Sequence, residues 1–281
     1  FVVPPVVSYL CRRPENRLTI ASMPGAGDVA ALLALANFEG QVEATDLDLS
    51  REQDRLDGMV RSFDLVISLV PMPLHPLAAR ACIKHKRPMV TASYVSPQMA
   101  ELDEAAVDAG VLILNEMGVD PGIDHMSALA MIAEAQRAGA RVIGFSSICG
   151  GLPAPEAATN PLGYKFSWSP RGVLAAVKND AQMLIDGKRI SVPGERLLRA
   201  ARPLELNPAF SLEVLPNRDS TVYADLYGIP DVRTMFRGTL RYRGFSRLVG
   251  ALVEAGFVEE APAELGTPRP SCREWTTRMI G

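Results

Sequence analysis

The first 120 residues constrain the fold most, because short β-rich runs alternate there with helical segments. "LTIAS" (18–22) predicts a strand and "DVAALLALAN" (28–37) a helix. "QVEATDL" (41–47) predicts the next strand, and "SREQDRLDGMVRSF" (50–63) an amphipathic helix. "DLVISLV" (64–70) reads as an apolar run, as a strand buried on both faces should. Helix "HPLAARACIKHK", strand "PMVTAS", helix "PQMAELDEAAVDAG" and strand "VLILNEM" follow. Repeated βα units need right-handed crossovers, so the expected fold is α/β, with a Rossmann-like, doubly wound parallel sheet. Strand ends at Ser22, Asp48, Val70, Ser93 and Gly118 would line one carboxyl edge. Sheets of this kind bind ligands at that edge.

After residue 120 the rhythm changes. A long helix, "DHMSALAMIAEAQRAGA", leads to strand "RVIGFSSICG", and strands "SLEVLP" (211–216) and "RTMFRGTLRYR" (233–243) come later. Residues 1–118 are therefore expected to form a dinucleotide-binding domain and 119–281 a mixed α/β substrate domain. The 281 residues, 48% of them hydrophobic, can bury two ordinary cores. A net charge of -3 argues against a nucleic-acid binder, and the sequence has no apolar run of membrane-spanning length. Cys11, Cys82, Cys149 and Cys272 show no C-x-x-C spacing and read as reduced thiols. His75, His85 and His125 are scattered too, so no metal site is expected.

"GAGDVA" (25–30) fits G-x-G-x-x-A, and Asp46 ends the next strand. The pattern matches a dinucleotide fingerprint, in which glycines admit a pyrophosphate and the acid takes ribose hydroxyls. The same residues also suit a turn-and-cap glycine pair. "FVVPPVVSYLCRR" predicts a helix before "LTIAS", with Pro4 and Pro5 in its first turn. A helix there makes "LTIAS" the second strand, so the first strand and its glycine turn would precede residue 1.

Residues 150–173, "GGLPAPEAATNPLGYKFSWSPRGV", resist helix and strand through their prolines and glycines. They nevertheless keep Tyr164, Phe166 and Trp168, with Lys165 and Arg171 among them, which a plain linker would not.

Three stretches carry a resemblance: "NEMGVDPGIDHM" (115–126), "CGGLPAPEAATNPLGYKFSWSPRGV" (149–173) and "PNRDSTVYADLYGIP…RGTLRY" (216–242). With "DLVISLVP…HP" and "VTASYVSP", they resemble the glutamate-forming saccharopine dehydrogenases. The resemblance implies NADP- or NAD-linked interconversion of saccharopine with glutamate and aminoadipate semialdehyde, a step of lysine metabolism. It implies a small-molecule substrate, allows a homodimer, and implies the cytosol for stand-alone relatives or mitochondria for animal bifunctional ones. It places "GAGDVA" after the second strand, near the adenosine ribose, and favours the turn reading. It also makes the chain look shortened at both ends. A carboxyspermidine-type dehydrogenase and a shortened, non-catalytic domain are the alternatives.

Saccharopine is a secondary amine with three carboxylates, so planar arginine forks are its natural clamps. The resemblance implies substrate contacts at Ser93, Tyr94, Asp120, Arg218, Thr239, Leu240 and Arg241. It implies cofactor contacts at Phe1, Val2, Ser22, Met23, Pro24, Asp48, Leu49, Val70, Ala92, Ser93, Val119, Asp120, Pro121 and Ser169. Met23 stands where many NADP-using relatives carry an arginine. Asp120 is the expected polar participant in catalysis, Lys165 a further candidate and His125 structural. Asp124 is expected to cap a helix starting at His125.

Overall fold

The computed structural model describes residues 2–25 and 41–258. Phe1, the turn beyond Gly25 with its expected helix, and Cys272 lie outside them. The chain divides into two compact units, Phe1–Ser127 and Ala128–Gly281.

In the first unit, helix α1 (Val3–Leu10) has its prolines in the first turn, where missing N–H groups leave no gap, and it buries Val7. Strand β1 (Leu18–Ser22) pairs in parallel with β2 (Val42–Asp46), from Leu18↔Val42 to Ser22↔Asp46. Then come α2 (Gln53–Ser62), β3 (Val66–Ser68), α3 (His75–His85), β4 (Met89–Thr91), α4 (Pro97–Ala100), α5 (Asp103–Ala109) and β5 (Ile113–Leu114). Strands β3, β4 and β5 form a second parallel sheet, and among the described residues no strand joins β1 to β3. The core gathers Leu56 and Val60 of α2, Ala78, Ala79 and Cys82 of α3, and Met89 of β4. Small side chains on α3 let that helix approach the sheet closely. The unit is a Rossmann-type domain, as its βα rhythm predicts.

One expectation fails here. Strand β3 is shorter than 64–70 and is not buried on both faces. Leu65 is 46% and Ile67 38% exposed. Strand side chains alternate, and Val66, Met89 and Ile113 point to the packed face in register. Ile67, Val90 and Leu114 share the opposite face, where Ile67 and Leu114 are each 38% exposed. An apolar run therefore does not by itself report burial on both sides.

Helix α6 (Ile123–Arg137) crosses the boundary between the units. The second unit holds β6 (Gly144–Cys149), α7 (Pro170–Ala176), β7 (Ala181–Ile185), β8 (Lys188–Val192), β9 (Arg202–Leu204), β10 (Leu212–Pro216), α8 (Tyr223–Leu226), β11 (Thr234–Tyr242) and α9 (Phe245–Glu254). Its six-stranded sheet runs β8-β7-β11-β10-β9, with β6 parallel to β11. Strand β10 is buried at every position and lies antiparallel to β11. The unit is thus mixed α/β, as expected.

The β7–β8 hairpin goes unpredicted although its signal is plain. Asp186-Gly187 adopts positive φ at both residues, 49° and 81°, as a primed hairpin turn requires. The irregular run 150–173 is also less irregular than its composition. It contains a short turn at Pro155–Ala157, and α7 begins at Pro170. Tyr164 forms a core with Val173, Val177, Phe245 and Val249. A side chain buried this way contributes about 1.5–3 kcal/mol, so Tyr164 anchors this run, whereas Phe166 and Trp168 are 37% and 44% exposed.

Candidate functional site

Two groups of expected residues come together, one in each unit. In the first, β4 delivers Thr91 to the strand end, and Ala92, Ser93 and Tyr94 follow it. The turn 118–124 packs against them. Gly118 N–H donates to Pro121 O at 3.0 Å, and Met117 N–H to Thr91 O at 3.0 Å. A Cβ on Gly122 would lie 2.2 Å from Gly118 O, at a φ of 148°, so only glycine fits this crossing. The turn presents Asp120 to Tyr94, whose hydroxyl donates to Asp120 Oδ1 at 2.7 Å. Pro121 follows Asp120 through a cis bond, and Val119 beside it is exposed.

Ser93 is fixed from behind. His75, 1% exposed, places Nε2 2.7 Å from Ser93 Oγ and Nδ1 2.8 Å from Ser68 Oγ. Burial pushes the imidazolium down from its ordinary value, so the ring is neutral. The sequence reading left His75 unassigned. The available signal was its place: a histidine opening the helix that follows an apolar strand faces that strand's carboxyl end.

The remaining first-unit positions are local in character. Ser22 ends β1, and Met23 and Pro24 after it are exposed. Asp48 Oδ1 accepts from Ser50 N–H at 2.9 Å, and the Ser50 hydroxyl and N–H hold its carboxyl below the usual range. Leu49 packs against the core cluster, and Val70 lies half-buried just after β3. Val2 is exposed at the foot of α1. Asp124 does not cap a helix at His125. The helix starts at Ile123, and Asp124 Oδ1 accepts from Gly122 N–H at 2.8 Å, bracing the turn instead. His125 Nε2 lies 3.4 Å from Glu116 Oε2, which suits the structural role expected of it.

In the second unit, β10 and β11 bring Arg218, Thr239 and Arg241 to one pocket, with Val173 and Val177 from α7's end of the chain and Phe245. A larger recess at Gln136, Arg141, Gly228 and Asp231 contains no expected site residue, so chemistry rather than size singles out the first. Arg241 is only 8% exposed. Its guanidinium stacks 4.7 Å from the Tyr164 ring centre and 5.1 Å from that of Phe245. Nη1 donates to Leu240 O at 2.7 Å, while Nε has no partner. No carboxylate of the described residues pairs with it. Desolvation pushes its pKa down, opposed by Tyr164 and Cys149, but an arginine stays charged. Its register partner across the strands, buried Glu213, is taken up by the N–H groups of Gly244 and Ser246, so a cation stacked on two rings is left suited to receive an anion.

Arg218 differs. It is exposed and held at φ 50°, a left-handed conformation that non-glycine residues seldom adopt outside sites that need it. Leu240 serves through its carbonyl oxygen, and Ser169 caps α7, accepting from Gly172 N–H at 3.1 Å. Lys165 is exposed. Among the described residues, no group of three or more His, Cys, Asp or Glu side chains could hold a metal ion, and no helix is long and apolar enough to cross a membrane.

Comparison with known proteins bears on both units. A family profile described as "Saccharopine dehydrogenase NADP binding domain" matches residues 1–114, and one described as "Saccharopine dehydrogenase C-terminal domain" matches 118–270. The saccharopine dehydrogenase [NADP(+), L-glutamate-forming] of Schizosaccharomyces pombe is 44% identical over 100% of this chain and 62% of its own length. The mitochondrial alpha-aminoadipic semialdehyde synthase of Rattus norvegicus is 40% identical over 98% of this chain and 29% of its own. The solved apo saccharopine dehydrogenase (L-Glu forming) from Saccharomyces cerevisiae superposes with a TM-score of 0.83 at 41% identity, covering 99% of this chain and 61% of that one. The chain thus spans about three-fifths of the length of the fungal relatives it matches. With both profiles matched in order along it, this chain belongs to the saccharopine dehydrogenase family.

Proposed function

We propose that this chain takes part in the NADP-dependent interconversion of saccharopine with glutamate and 2-aminoadipate 6-semialdehyde, with residues 1–118 as the dinucleotide-binding domain and 119–281 as the substrate-binding domain. The observation that carries this reading is the pocket joining Arg218, Thr239 and a buried, unpaired Arg241, in a chain of this family. A tricarboxylate amine supplies the anions such a pocket lacks.

The first unit suits a nicotinamide dinucleotide chemically. Its strand ends offer the neutral hydroxyls of Ser22 and Ser93 and the uncovered apolar groups of Met23 and Val119. Ser22, Met23 and Pro24 would hold the adenosine end, with Asp48 and Leu49 beside them. Ala92, Ser93, Val119 and Pro121 would hold the reactive end, with Val70 and Val2 as further contacts. Met23, 57% exposed, brings no charge to a 2'-phosphate, so NADP over NAD rests on the family profile.

When bound, the cofactor would supply a hydride acceptor for the carbon beside the substrate's secondary amine, which would leave an imine for water to cleave. In the second unit, Arg241 and Arg218 bind substrate carboxylates. Asp120 offers a carboxylate to the substrate's ammonium, and Tyr94 donates to that carboxylate and fixes its direction. Thr239 adds a hydroxyl at the pocket wall. A cytosolic setting is part of this proposal, with a mitochondrial one, as named for the Rattus norvegicus relative, as its alternative, and a homodimer is compatible with either.

The test is turnover. Saccharopine with NADP at alkaline pH should give rising absorbance from reduced nicotinamide. A chain that binds NADP and saccharopine yet never reduces the cofactor would overturn the catalytic reading. Turnover of carboxyspermidine in preference to saccharopine would overturn the substrate.

A further inference from the structure

The buried histidine behind Ser93 has a role that the reaction's chemistry does not assign. His75 opens α3, Ser68 ends β3 and Thr91 ends β4, so the ring ties two adjacent strand ends to a helix. Ser68 and Thr91 are buried, whereas Ser93 is half-buried at the ligand-binding edge. The two ring nitrogens each meet a hydroxyl at short range: Ser68 Oγ at 2.8 Å from Nδ1 and Ser93 Oγ at 2.7 Å from Nε2. Thr91 Oγ1, 3.4 Å from Nε2, is a much longer neighbour and accepts from Ser93 N–H at 3.3 Å.

A neutral imidazole has one donor nitrogen and one acceptor. The Ser68 hydroxyl is buried, and Nδ1 is the acceptor within its reach. Both Ser68 and Thr91 carry buried hydroxyl protons. Thr91 Oγ1 at 3.4 Å is too far to compete with Ser68 Oγ at 2.8 Å, so the short contact decides and Ser68 donates to Nδ1. The ring proton then sits on Nε2 and is donated to Ser93 Oγ. Ser93 accepts on its inner side, and its own proton is left to point outward. We propose that His75 is a positioning residue: as the neutral Nε2–H tautomer it holds the Ser93 hydroxyl as a hydrogen-bond donor toward the bound cofactor or substrate. This rests on the reading that Ser93 faces those ligands. The chain of hydroxyls ends at buried Ser68, so it orients a proton and does not carry one to solvent.

Two measurements on the full chain test this. The first is ¹⁵N spectroscopy of the His75 ring without ligands. An Nε2–H pattern with Nδ1 as acceptor is expected, and an Nδ1–H or doubly protonated pattern near neutral pH would overturn the proposal. This readout needs no turnover, so an inactive chain with the Nε2–H pattern would count against the proposed function and not against the relay. The second is a double-mutant cycle on kcat/KM, with folding followed by circular dichroism. Ser93→Ala and His75→Leu should each cost roughly 5- to 20-fold, and the double variant little more than either. His75→Gln, which can still donate to Ser93, should recover most of the loss. Additive effects, or no recovery by His75→Gln, would overturn it. Should His75→Leu not fold, the ring spectrum and His75→Gln decide.

Discussion

The two groups of site residues solve opposite problems. Ser93, Tyr94 and Asp120 each have a side-chain partner inside the unit, and the central ring is neutral. Around Arg241, a charged group is buried without a counter-ion and is steadied by two aromatic rings. The first arrangement sets the direction of hydroxyls and tolerates a neutral ligand. The second is electrostatically incomplete and gains from a bound anion. On the proposed function, the difference is that between a dinucleotide's reactive end, which asks for geometry, and a polycarboxylate, which asks for unpaired charge.

Four substitutions or conditions would sharpen or break that contrast. The largest effect is expected for Arg241→Met. Losing a charge-assisted contact costs about 1.5–3 kcal/mol, roughly 10- to 150-fold in kcat/KM, and most of it should appear as a higher KM for saccharopine. A loss confined to kcat would move Arg241 from binding to the reacting centre. Next is Glu213→Ala. Glu213 accepts from Gly244 N–H at 3.0 Å and Ser246 N–H at 2.7 Å, closing the start of α9 under Phe245. Two unpaired N–H groups should lower unfolding free energy by about 1–3 kcal/mol in denaturant melts, and an unchanged midpoint would show that water replaces the carboxylate. Tyr94→Phe removes the donor to Asp120 and should lower kcat/KM by roughly 3- to 12-fold, the worth of about 0.5–1.5 kcal/mol, with folding stability nearly unchanged. The smallest effect is in pH. His75 is held neutral below its ordinary value of 6.5, so it stabilises the fold above that pH. That contribution is lost as pH falls below 6.5, and His75→Gln should flatten the slope of stability between there and about pH 5. An identical slope in the variant would assign it to other groups.

The parallel domain was legible because βα alternation is a local signal. Its strand order could be read from residue order alone, but of the expected strand ends only Ser22 ends a strand. The next four strands stop at Asp46, Ser68, Thr91 and Leu114, two to four residues before Asp48, Val70, Ser93 and Gly118, which lie in the turns that follow. Burial was less legible: "DLVISLV" looks two-sidedly apolar, but which face is packed depends on helices elsewhere in the chain. In the second unit, β6, β10 and β11 were readable, whereas the β7–β8 hairpin was missed despite its Asp-Gly turn. Arg218 and Arg241 were found through motif resemblance. Sequence could not show that one is exposed in a left-handed conformation and the other buried on Tyr164 and Phe245. His75 stayed hidden because its partners, Ser68 and Ser93, lie 7 and 18 residues away and meet it only in the folded unit.

The division of labour between the two groups is most directly measured by calorimetric titration of the unmodified chain and of Arg241→Met with saccharopine and, separately, with NADP. The account predicts that the substitution weakens saccharopine at least about tenfold while NADP affinity stays within about twofold. Equal weakening of both ligands, or saccharopine binding that ignores the substitution, would contradict it.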